Sequence, residues 1–327
     1  MSIASGAQSR LQIGAQSDFS TAVTPTVQIE FTKESYKLLP NYISPDSLIG
    51  KTTDDRMDIT GLKVEGDHEQ IINPDNIGLL LSAVMGAEAD PSAVSGSAVY
   101  DHVFTPISAV VGSSLPKLTV VVDRIVDVFG YYGVKIDKMS LKAQKGDYLR
   151  GTFTGRGYDE DRSSALAALT ASTKRPFMFL DGTITVDAAN YSDIEDATLD
   201  YMNNIENDLQ TLGTGTHMQE IEPQKRDIQL TLNALFSSAT NTTRTNKFAA
   251  GAKAAVILTF TSTETAATGL YYTLTVSLPN CYITAADPMV AGPDRIKVSM
   301  TLKAVESGGS PPATITLRDA RSTAYIS

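Results

Sequence analysis

The sequence predicts a mainly β fold made of two similar modules in tandem, each with a flanking α-helix. Runs of alternating apolar and polar residues recur along the chain, as expected for strands that bury one face. A marked helical pattern follows one of these runs. Strand and turn signals of the first half then return in the second half at matching spacings, which indicates an internal duplication.

The composition is that of a folded protein. The 327 residues are 42% hydrophobic and 20% charged, and this length suffices for two domains of ordinary size. The net charge of −10 argues against tight binding to nucleic-acid phosphates, because that affinity comes from Lys and Arg, but it permits DNA to slide past. We predict no signal segment and no membrane span, which needs roughly 20 apolar residues. The single cysteine, Cys281, excludes an internal disulfide and fits cytosolic synthesis.

We divide the chain into five segments. They are an N-terminal arm, a first module, a linker, a second module and a C-terminal extension, at residues 1–24, 25–162, 163–176, 177–306 and 307–327. The arm is small and polar without a sustained period, so we expect it to be ordered only where it docks on a neighbour.

The stretch of residues 36–86 organises the first module. Residues 36–43 are extended, a polar connection covers residues 44–58, and residues 59–65 alternate as a strand does. These three features predict a strand, a long loop and a second strand before the helix.

The helix has clear start and stop signals. Asn73 can cap it, Pro74 fits its first position, and Asp75 suits the positive end of its dipole. Gly86 is expected to end it. Its apolar face is formed by residues at helical spacing, namely Ile77, Leu80, Leu81, Val84 and Met85.

Further strands complete the first half. They are predicted at residues 100–105, 117–122, 134–143 and 148–157, with residues 145–147 as the turn of the last hairpin.

The second half repeats this order. Strands or extended segments are predicted at residues 176–186, 199–213, 228–235, 255–261 and 271–277, with a weaker helix at residues 241–252. Asn204 and Gly213 are nine residues apart, as are Asn41 and Gly50. The closing hairpin agrees best, because Val134 to Asp147 and Cys281 to Asp294 both span thirteen positions, and Phe153 and Met300 then fall on equivalent positions.

Candidate chemistry is weak. Glu65, Asp67, His68 and Glu69 could form a metal site, and Asp54 with Asp55, or Asp159 with Glu160 and Asp161, could pair as acid and base. Charged strand ends and solvated loops explain both patterns more simply. Cys281 lies in mid-strand, where a buried structural thiol is expected. We therefore predict no catalytic residue, no metal and no cofactor, and a protein that is not an enzyme.

Two sequence runs of the first half resemble the major tail tube proteins of long-tailed, siphovirus-like bacteriophages. They are TKESYKLLPNYISPDSLIG and, after a strand, NPDNIGLLLSAVMG. In the second half, LDYMNNIENDLQTLG before IQLTLNAL is similar to the general tube-domain pattern, and the resemblance extends over residues 25–306. It implies tail-tube-like β-sandwich or barrel modules, whose sheets close a continuous inner barrel in each of a series of stacked rings.

The resemblance also implies two sets of contact residues. In that family the long connection of each module reaches the adjacent ring, which here would involve Ser44, Asp46, Lys51, Asp54, Asp55, Arg56, Thr214, Gln219 and Glu222. Pairing of sheets within a ring is assigned to the outgoing hairpin strands, through Tyr148, Arg150, Thr152, Lys297, Ser299 and Thr301.

A chain with two modules would close a six-module ring as a trimer, with a polar lumen in which acidic residues outweigh Arg150 and Arg156. Hexameric rings, each built from six chains, are the alternative. The implied location is the virion tail, after synthesis in the host cytoplasm. The implied partners are further copies of the chain, tail terminator and tail tip proteins, the tape measure protein during assembly, and DNA in transit without sequence-specific binding. A carbohydrate- or receptor-binding β-sandwich, or a hydrolase with an acidic pair, are the competing hypotheses from other classes.

Overall fold

The polypeptide forms antiparallel strands over about half of its length, which confirms the mainly β class. The structure is a computed structural model that describes residues 5–46, 52–107, 114–206, 210–290 and 292–326. Strand-to-strand pairing is antiparallel in every ladder of these residues.

The first half contains twelve strands and one α-helix among the described residues. The strands are β1 (Arg10–Gln16), β2 (Val27–Ile29), β3 (Phe31–Glu34), β4 (Lys37–Ile43), β5 (Asp58–Ile71), β6 (Gly86–Glu88), β7 (Ser92–Ala93), β8 (Tyr100–Pro106), β9 (Lys117–Asp123), β10 (Val128–Gln144), β11 (Arg150–Gly157) and β12 (Asp159–Asp161). Helix α1 spans Ile77–Met85.

The second half follows the same plan. Its strands are β13 (Gly182–Val186), β14 (Ala189–Asn190), β15 (Ile194–Met202), β16 (Asp227–Leu235), β17 (Ala254–Ala267), β18 (Leu270–Ala285), β19 (Pro288–Met289), β20 (Lys297–Ala304) and β21 (Thr314–Asp319). Helix α2 (Ser238–Thr243) continues into a wider π-helical turn, Arg244–Ala249. This helix starts earlier than the predicted residues 241–252.

One main sheet runs through both halves. Its strands lie in the order β4, β5, β11, β10, β15, β16, β20 and β18, with β3 and β19 continuing the first and last of them. The junction between the halves is the pairing of β10 with β15. The pairings of the described residues close no cycle, so the main sheet is open at both ends.

A second layer of strands covers the inner face of the main sheet. Strand β10 is long enough to take part in both layers, because its first residues pair with β9 and its last residues with β11 and β15. It changes direction at a bulge near Gly133, which has a positive φ of 64° and lies close to the Phe19 carbonyl. Strand β18 has the same double role, with β17 and β21 in the second layer and β20 in the main sheet.

Helix α1 lies within the core and not at its surface. All nine of its residues are buried, and one continuous apolar cluster joins residues of both halves of the chain. Gly86 ends the helix in a left-handed conformation, as predicted, and its N–H donates to the Ser82 carbonyl. The predicted start was three residues too early, because the Asn73 side chain donates to Glu30 and the helix begins at Ile77.

Both terminal segments differ from their predictions. Strand β1 belongs to residues predicted as a docking arm, yet it pairs with β9 and β2 of its own chain and is almost fully buried. Strand β21 lies in the predicted C-terminal extension and is inserted between β18 and β8. The C-terminal segment therefore connects the second-layer strands of the two halves by backbone pairing.

Candidate functional site: a repeated sheet with two free edges

The four main-sheet strands of the first half repeat in the second half. The order β4, β5, β11, β10 becomes β15, β16, β20, β18, and in each half a helix follows the second of these strands along the chain. The register is also the same. Lys138 pairs with Thr154, and the residues 147 positions later, Ala285 and Thr301, pair with each other. Two further pairs repeat at this spacing, Leu141 with Gly151 as Pro288 with Val298, and Lys142 with Arg150 as Met289 with Lys297.

Even the irregularities of the two hairpins coincide. The β10–β11 ladder shifts between Ile136 and Lys138, and the β18–β20 ladder shifts between Ile283 and Ala285. The extra residues, Asp137 and Thr284, are again 147 positions apart. The two hairpins are therefore copies in geometry as well as in strand order.

Polar side chains reinforce the junction of β10 with β15. The Lys138 ammonium lies 3.0 Å from an Asp200 carboxylate oxygen, on the polar side of the sheet. At the end of the ladder, the fully buried Asn203 amide donates to the carbonyls of Val84 in α1 and Ile136 in β10, at 3.0 and 2.9 Å. Since these buried groups satisfy one another, the junction is held by more than the ladder alone.

The main sheet ends at two edges. The first, the β4 edge, is the side of β4 away from β5. The second, the β19 edge, is the side of residues 285–290 away from β20. Within the described ranges no strand pairs with either edge, and such edges can accept a strand from another chain.

These edges are not where the sequence placed sheet pairing between copies. Tyr148 precedes β11, where Arg150 and Thr152 pair on one side with β5 and on the other with β10. Lys297, Ser299 and Thr301 lie in β20, between β16 and the β18–β19 segment. Both strands are central in the sheet, so the assignment of pairing between copies to these residues is corrected. The prediction failed because alternation identifies a strand but not its neighbours.

The outer face of the main sheet is polar. Along β11, Gly151 and Phe153 are buried against the core, whereas Arg150, Thr152 and Thr154 are half-exposed. Matching positions on the other strands continue this surface, which we call the polar face; it includes Lys37, Glu65, Asp67, Glu69, Lys138, Ser140, Arg156, Asp200, Gln229, Thr231, Lys297, Ser299, Thr301 and Lys303.

Charges on and around the polar face are largely paired with one another. The ion pairs are Lys33–Glu69, Arg150–Asp147, Arg156–Asp137, Lys138–Asp200, Lys297–Glu195 and Lys303–Asp227, with nitrogen–oxygen distances of 2.6 to 3.1 Å. Hydrogen bonds from Arg150, Lys297 and Lys303 lower the pKa of Asp147, Glu195 and Asp227, respectively. These carboxylates stay ionised at neutral pH, so the face is polar yet locally neutralised.

The first long connection is exposed at most of its described residues. Ser44 donates to the Arg56 carbonyl, and residues 52–60 are exposed, including Asp54 and Asp55. Asp46 is exposed as well, whereas Lys51 lies outside the described residues. Exposed apolar side chains flank this connection, namely Tyr42, Ile43, Met57 and Ile59, with 48 to 63% of their surface accessible.

The second long connection lies against the first half of its own chain. Leu62 of β5 donates to the Thr216 carbonyl, and His217 lies 2.8 Å from an Asp159 carboxylate oxygen. Thr214 caps a turn by bonding to Thr211, and Gln219 also bonds to Thr211. The predicted contacts of Thr214, Gln219 and Glu222 with an adjacent ring remain a prediction.

A buried lysine fixes this second connection. The Lys135 ammonium of β10 is fully buried, 2.7 Å from the Ser114 hydroxyl, 2.7 Å from the Ile221 carbonyl and 2.9 and 3.3 Å from the carboxylates of Glu220 and Glu222. Burial raises the pKa of Glu220, but the hydrogen bonds from Lys135 and Ser114 outweigh it and lower that pKa overall. The sequence analysis missed Lys135, because it occupies an apolar stretch of β10 and its partners are 21 to 87 residues away.

The candidate chemical groups are accounted for by the fold. His68 of β5 faces the core, while Asp67 and Glu69 on either side of it face outwards, so the strand separates the imidazole from the carboxylates. Asp159 contacts His217, and Asp161 accepts from Ser163. Burial raises the pKa of the Cys281 thiol to about 12, as expected for an unreactive structural cysteine.

An open sheet whose strand plan is repeated, with a neutralised polar face on one side and the whole core on the other, is typical of a subunit that assembles through its sheet edges. None of the helices among the described residues is long and apolar enough to cross a membrane. The sequence profile of the phage tail tube protein family matches residues 6–304. The chain therefore belongs to the phage tail tube protein family, a structural component of the virion that assembles with itself. A search of curated proteins returned no match.

Proposed function

We propose that this chain is the ring subunit of a siphovirus-like tail tube, and that three copies close each ring. The observation that supports this most strongly is the tandem strand order, since one chain supplies two equivalent four-strand units that leave an open edge at each end. Joining these edges between copies removes unpaired backbone groups. Three chains would then make six units with pseudo-sixfold symmetry.

The polar face would line the channel. The second layer and helix α1 occupy the other side of the sheet, so the polar face is the side free to meet solvent. Eight main-sheet strands from each of three chains, spaced about 4.8 Å apart, give a circumference of about 115 Å and a backbone diameter of about 37 Å before strand tilt widens it. Such a bore accommodates a DNA duplex. A surface whose cations are already ion-paired offers few free charges to DNA phosphates, which suits passage without retention.

The first long connection would contact the next ring. Most of its described residues are exposed, and the apolar side chains at its base, Tyr42, Ile43, Met57 and Ile59, form the kind of surface that is covered in an assembly. We assign this contact to Ser44, Asp46, Asp54, Asp55 and Arg56. Tail terminator and tip proteins would cap the ends of the stacked rings, and the tape measure protein would occupy the lumen during assembly.

Electron microscopy of the purified chain tests this function. We expect hollow tubes or rings, and averaged views should show three chains per ring with six similar lobes. Mass photometry of isolated rings should give three times the chain mass. A monomer that never assembles contradicts the tube role, and a ring of six chains contradicts the trimer.

A further inference from the structure

The internal junction between the two halves provides a template for the contact between two chains. Strand β10 ends the first four-strand unit and pairs with β15, the first strand of the second unit. The last strand of the second unit ends at the β19 edge, and the first strand of the first unit presents the β4 edge. In a ring, pairing of the β19 edge of one copy with the β4 edge of the next copy would therefore be equivalent to the internal pairing of β10 with β15.

Register identifies the equivalent residues. On one side, the residues 147 positions after Lys138 and Ser140 are Ala285 and Asp287, as the repeated hairpin shows. On the other side, Arg156 pairs with Glu65, which pairs with Lys37.

The corresponding chain of pairs in the second half starts from Lys303, 147 positions after Arg156. Lys303 pairs with Gln229, which pairs with Asp200. Lys37 is therefore the equivalent of Asp200, and Leu39 is the equivalent of Met202. In the internal junction, Ser140 pairs with Asp200 and Lys138 with Met202.

We propose that residues 37–39 of one copy pair antiparallel with residues 285–287 of a second copy, in the register that places Lys37 opposite Asp287 and Leu39 opposite Ala285. This contact rests on the proposed ring and specifies how it closes. Each chain would use one edge of each kind, so the contact is head-to-tail, the type of contact that builds a ring when its rotation closes.

The charges and burial of the two edges fit this register. Lys37 and Asp287 are both exposed and carry opposite charge, and an opposite-charge pair directly across two strands is stabilising. Asp287 also accepts a bond from Arg244 at 2.8 Å, which holds its carboxylate at the edge. Between them, Leu38 would face Ala286 on the core side, as Tyr201 faces Met139 in the internal junction. Ala286 and Met139 are both fully buried, which agrees with their equivalence.

Two features determine where the proposed pairing ends, on the side of Lys37 and Asp287. Arg124 and Tyr131 already donate to the Tyr36 carbonyl, at 2.6 and 3.0 Å, so this carbonyl is engaged within the chain. Pro288, the equivalent of Leu141, has no N–H to donate. Tyr36 and Pro288 lie opposite each other in this register, so the ladder ends at the Lys37–Asp287 pair. Its other end, Leu39 with Ala285, corresponds to Lys138 with Met202, the end pair of the internal junction, so the ladder is shorter than the seven pairs of that junction.

Disulfide cross-linking tests the register. The variant with both Leu39→Cys and Ala285→Cys should, on oxidation of assembled rings, give covalent dimers and trimers on a non-reducing gel, because directly opposed residues have Cβ atoms about 5 Å apart. Either single variant should give none, since the native Cys281 is buried. Lys138→Cys with Met202→Cys is the positive control, and its link should form within one chain.

An out-of-register pair provides the matched comparison. Asn41→Cys with Asp287→Cys lies on the same edges but four positions from the proposed alignment, and it should not cross-link. Rings that form normally but link through this pair, or not through Leu39→Cys with Ala285→Cys, overturn the register and leave the tube function standing. If the unmodified chain forms no rings at all, the function fails and the contact fails with it.

A charge exchange tests the Lys37–Asp287 pair without cysteine. Lys37→Asp should raise the concentration needed for assembly by about tenfold, because two carboxylates would face each other. Adding Asp287→Lys should restore assembly. Lys225→Asp, the same charge change at an exposed residue outside both edges, should have little effect. An equal effect of Lys225→Asp, or no rescue by the double exchange in a folded chain, contradicts the pairing.

Discussion

At the scale of single residues, two buried histidines have opposite protonation behaviour. Burial lowers the pKa of His68 to about 4, since the nearby Asp67 charge only partly opposes it, and the ring packs between Tyr36 and Phe153. Burial also opposes protonation of His102, but hydrogen bonds to Asp319 and Glu88 outweigh it and raise the pKa to about 9. His102 is therefore a buried cation that links β8 to the C-terminal segment.

The surroundings of His102 predict a pH dependence of stability. Its ring nitrogens face Glu88 at 2.8 Å, and Asp319 at 3.2 Å together with the Arg321 carbonyl at 2.9 Å; Tyr325, whose hydroxyl bonds to Asp319, packs beside the ring. The pKa in the folded chain exceeds the value of about 6.5 in the unfolded chain, so this stabilisation is fully present below pH 6.5 and is lost as pH rises through 9.

We expect the free energy of unfolding to fall by up to about 3 kcal/mol across this interval in the native chain. His102→Gln should make the free energy of unfolding depend less on pH across this interval. Urea unfolding of both chains between pH 6 and pH 9.5 provides the measurement. Equal slopes for the two chains would show that His102 is not the group responsible.

At the scale of elements, alternation predicted the hairpin strands but not the way they join. Strands β8 and β11 lie within two residues of their predicted bounds, because each buries one face. Strand β1 was missed because both of its faces are covered and its pattern does not alternate. Its Gln12 side chain is hydrogen-bonded to the backbone of Ala167, 155 residues away, and no local sequence pattern predicts such a partner.

The free edges could not be predicted for the same reason. Whether a strand is central or at an edge depends on pairings between distant segments, such as β10 with β15 and β18 with β21. The spacing of the closing hairpins, by contrast, was readable from the sequence, and the register of Lys138 with Thr154 and Ala285 with Thr301 follows it.

The second connection should be loosened by removing the ammonium that holds it. Lys135→Met keeps an apolar stem in the core but leaves the buried Ile221 carbonyl without its donor, so we expect a loss of about 2 kcal/mol in the free energy of unfolding. Amide exchange should accelerate at residues 218–222. Glu222→Gln is the control, and because this carboxylate is half-exposed its change should cost less than about 1 kcal/mol. A Glu222→Gln loss as large as that of Lys135→Met would contradict a central role for the lysine.

At the scale of the whole molecule, the two halves of the chain pack against each other. The apolar core is continuous between them, and β21 pairs with β18 of the second half and β8 of the first. Tyr325 packs so closely on helix α1 that a Cβ at Gly78 would overlap its ring. The predicted modules at residues 25–162 and 177–306, the linker at residues 163–176 and the extension at residues 307–327 remain predictions, and we expect stability to be shared between the halves.

Removing residues 310–327 tests this sharing. The deletion exposes the edges of β18 and β8 and takes Tyr325 away from α1, so the truncated chain should aggregate or unfold at much lower temperature. Deleting residues 2–8 is the matched control, because the described part of that segment is exposed and precedes β1. Calorimetry and sedimentation would detect both effects. A truncated chain that stays soluble with an unchanged unfolding temperature would show that the halves are independent.

The different positions of the two long connections have a consequence for stacking. One of them is exposed where it is described, whereas its counterpart in the second half is folded back onto β5 and anchored by Lys135. A ring of three such chains would have hexagonal symmetry in its bore but only triangular symmetry on its end face. Successive rings would then interlock at three positions, and a rotation of one sixth of a turn would bring a protruding segment against a retracted one. Fusion of the two modules would thus let the tube distinguish rotations that differ by one sixth of a turn, which are equivalent in a ring of six identical subunits.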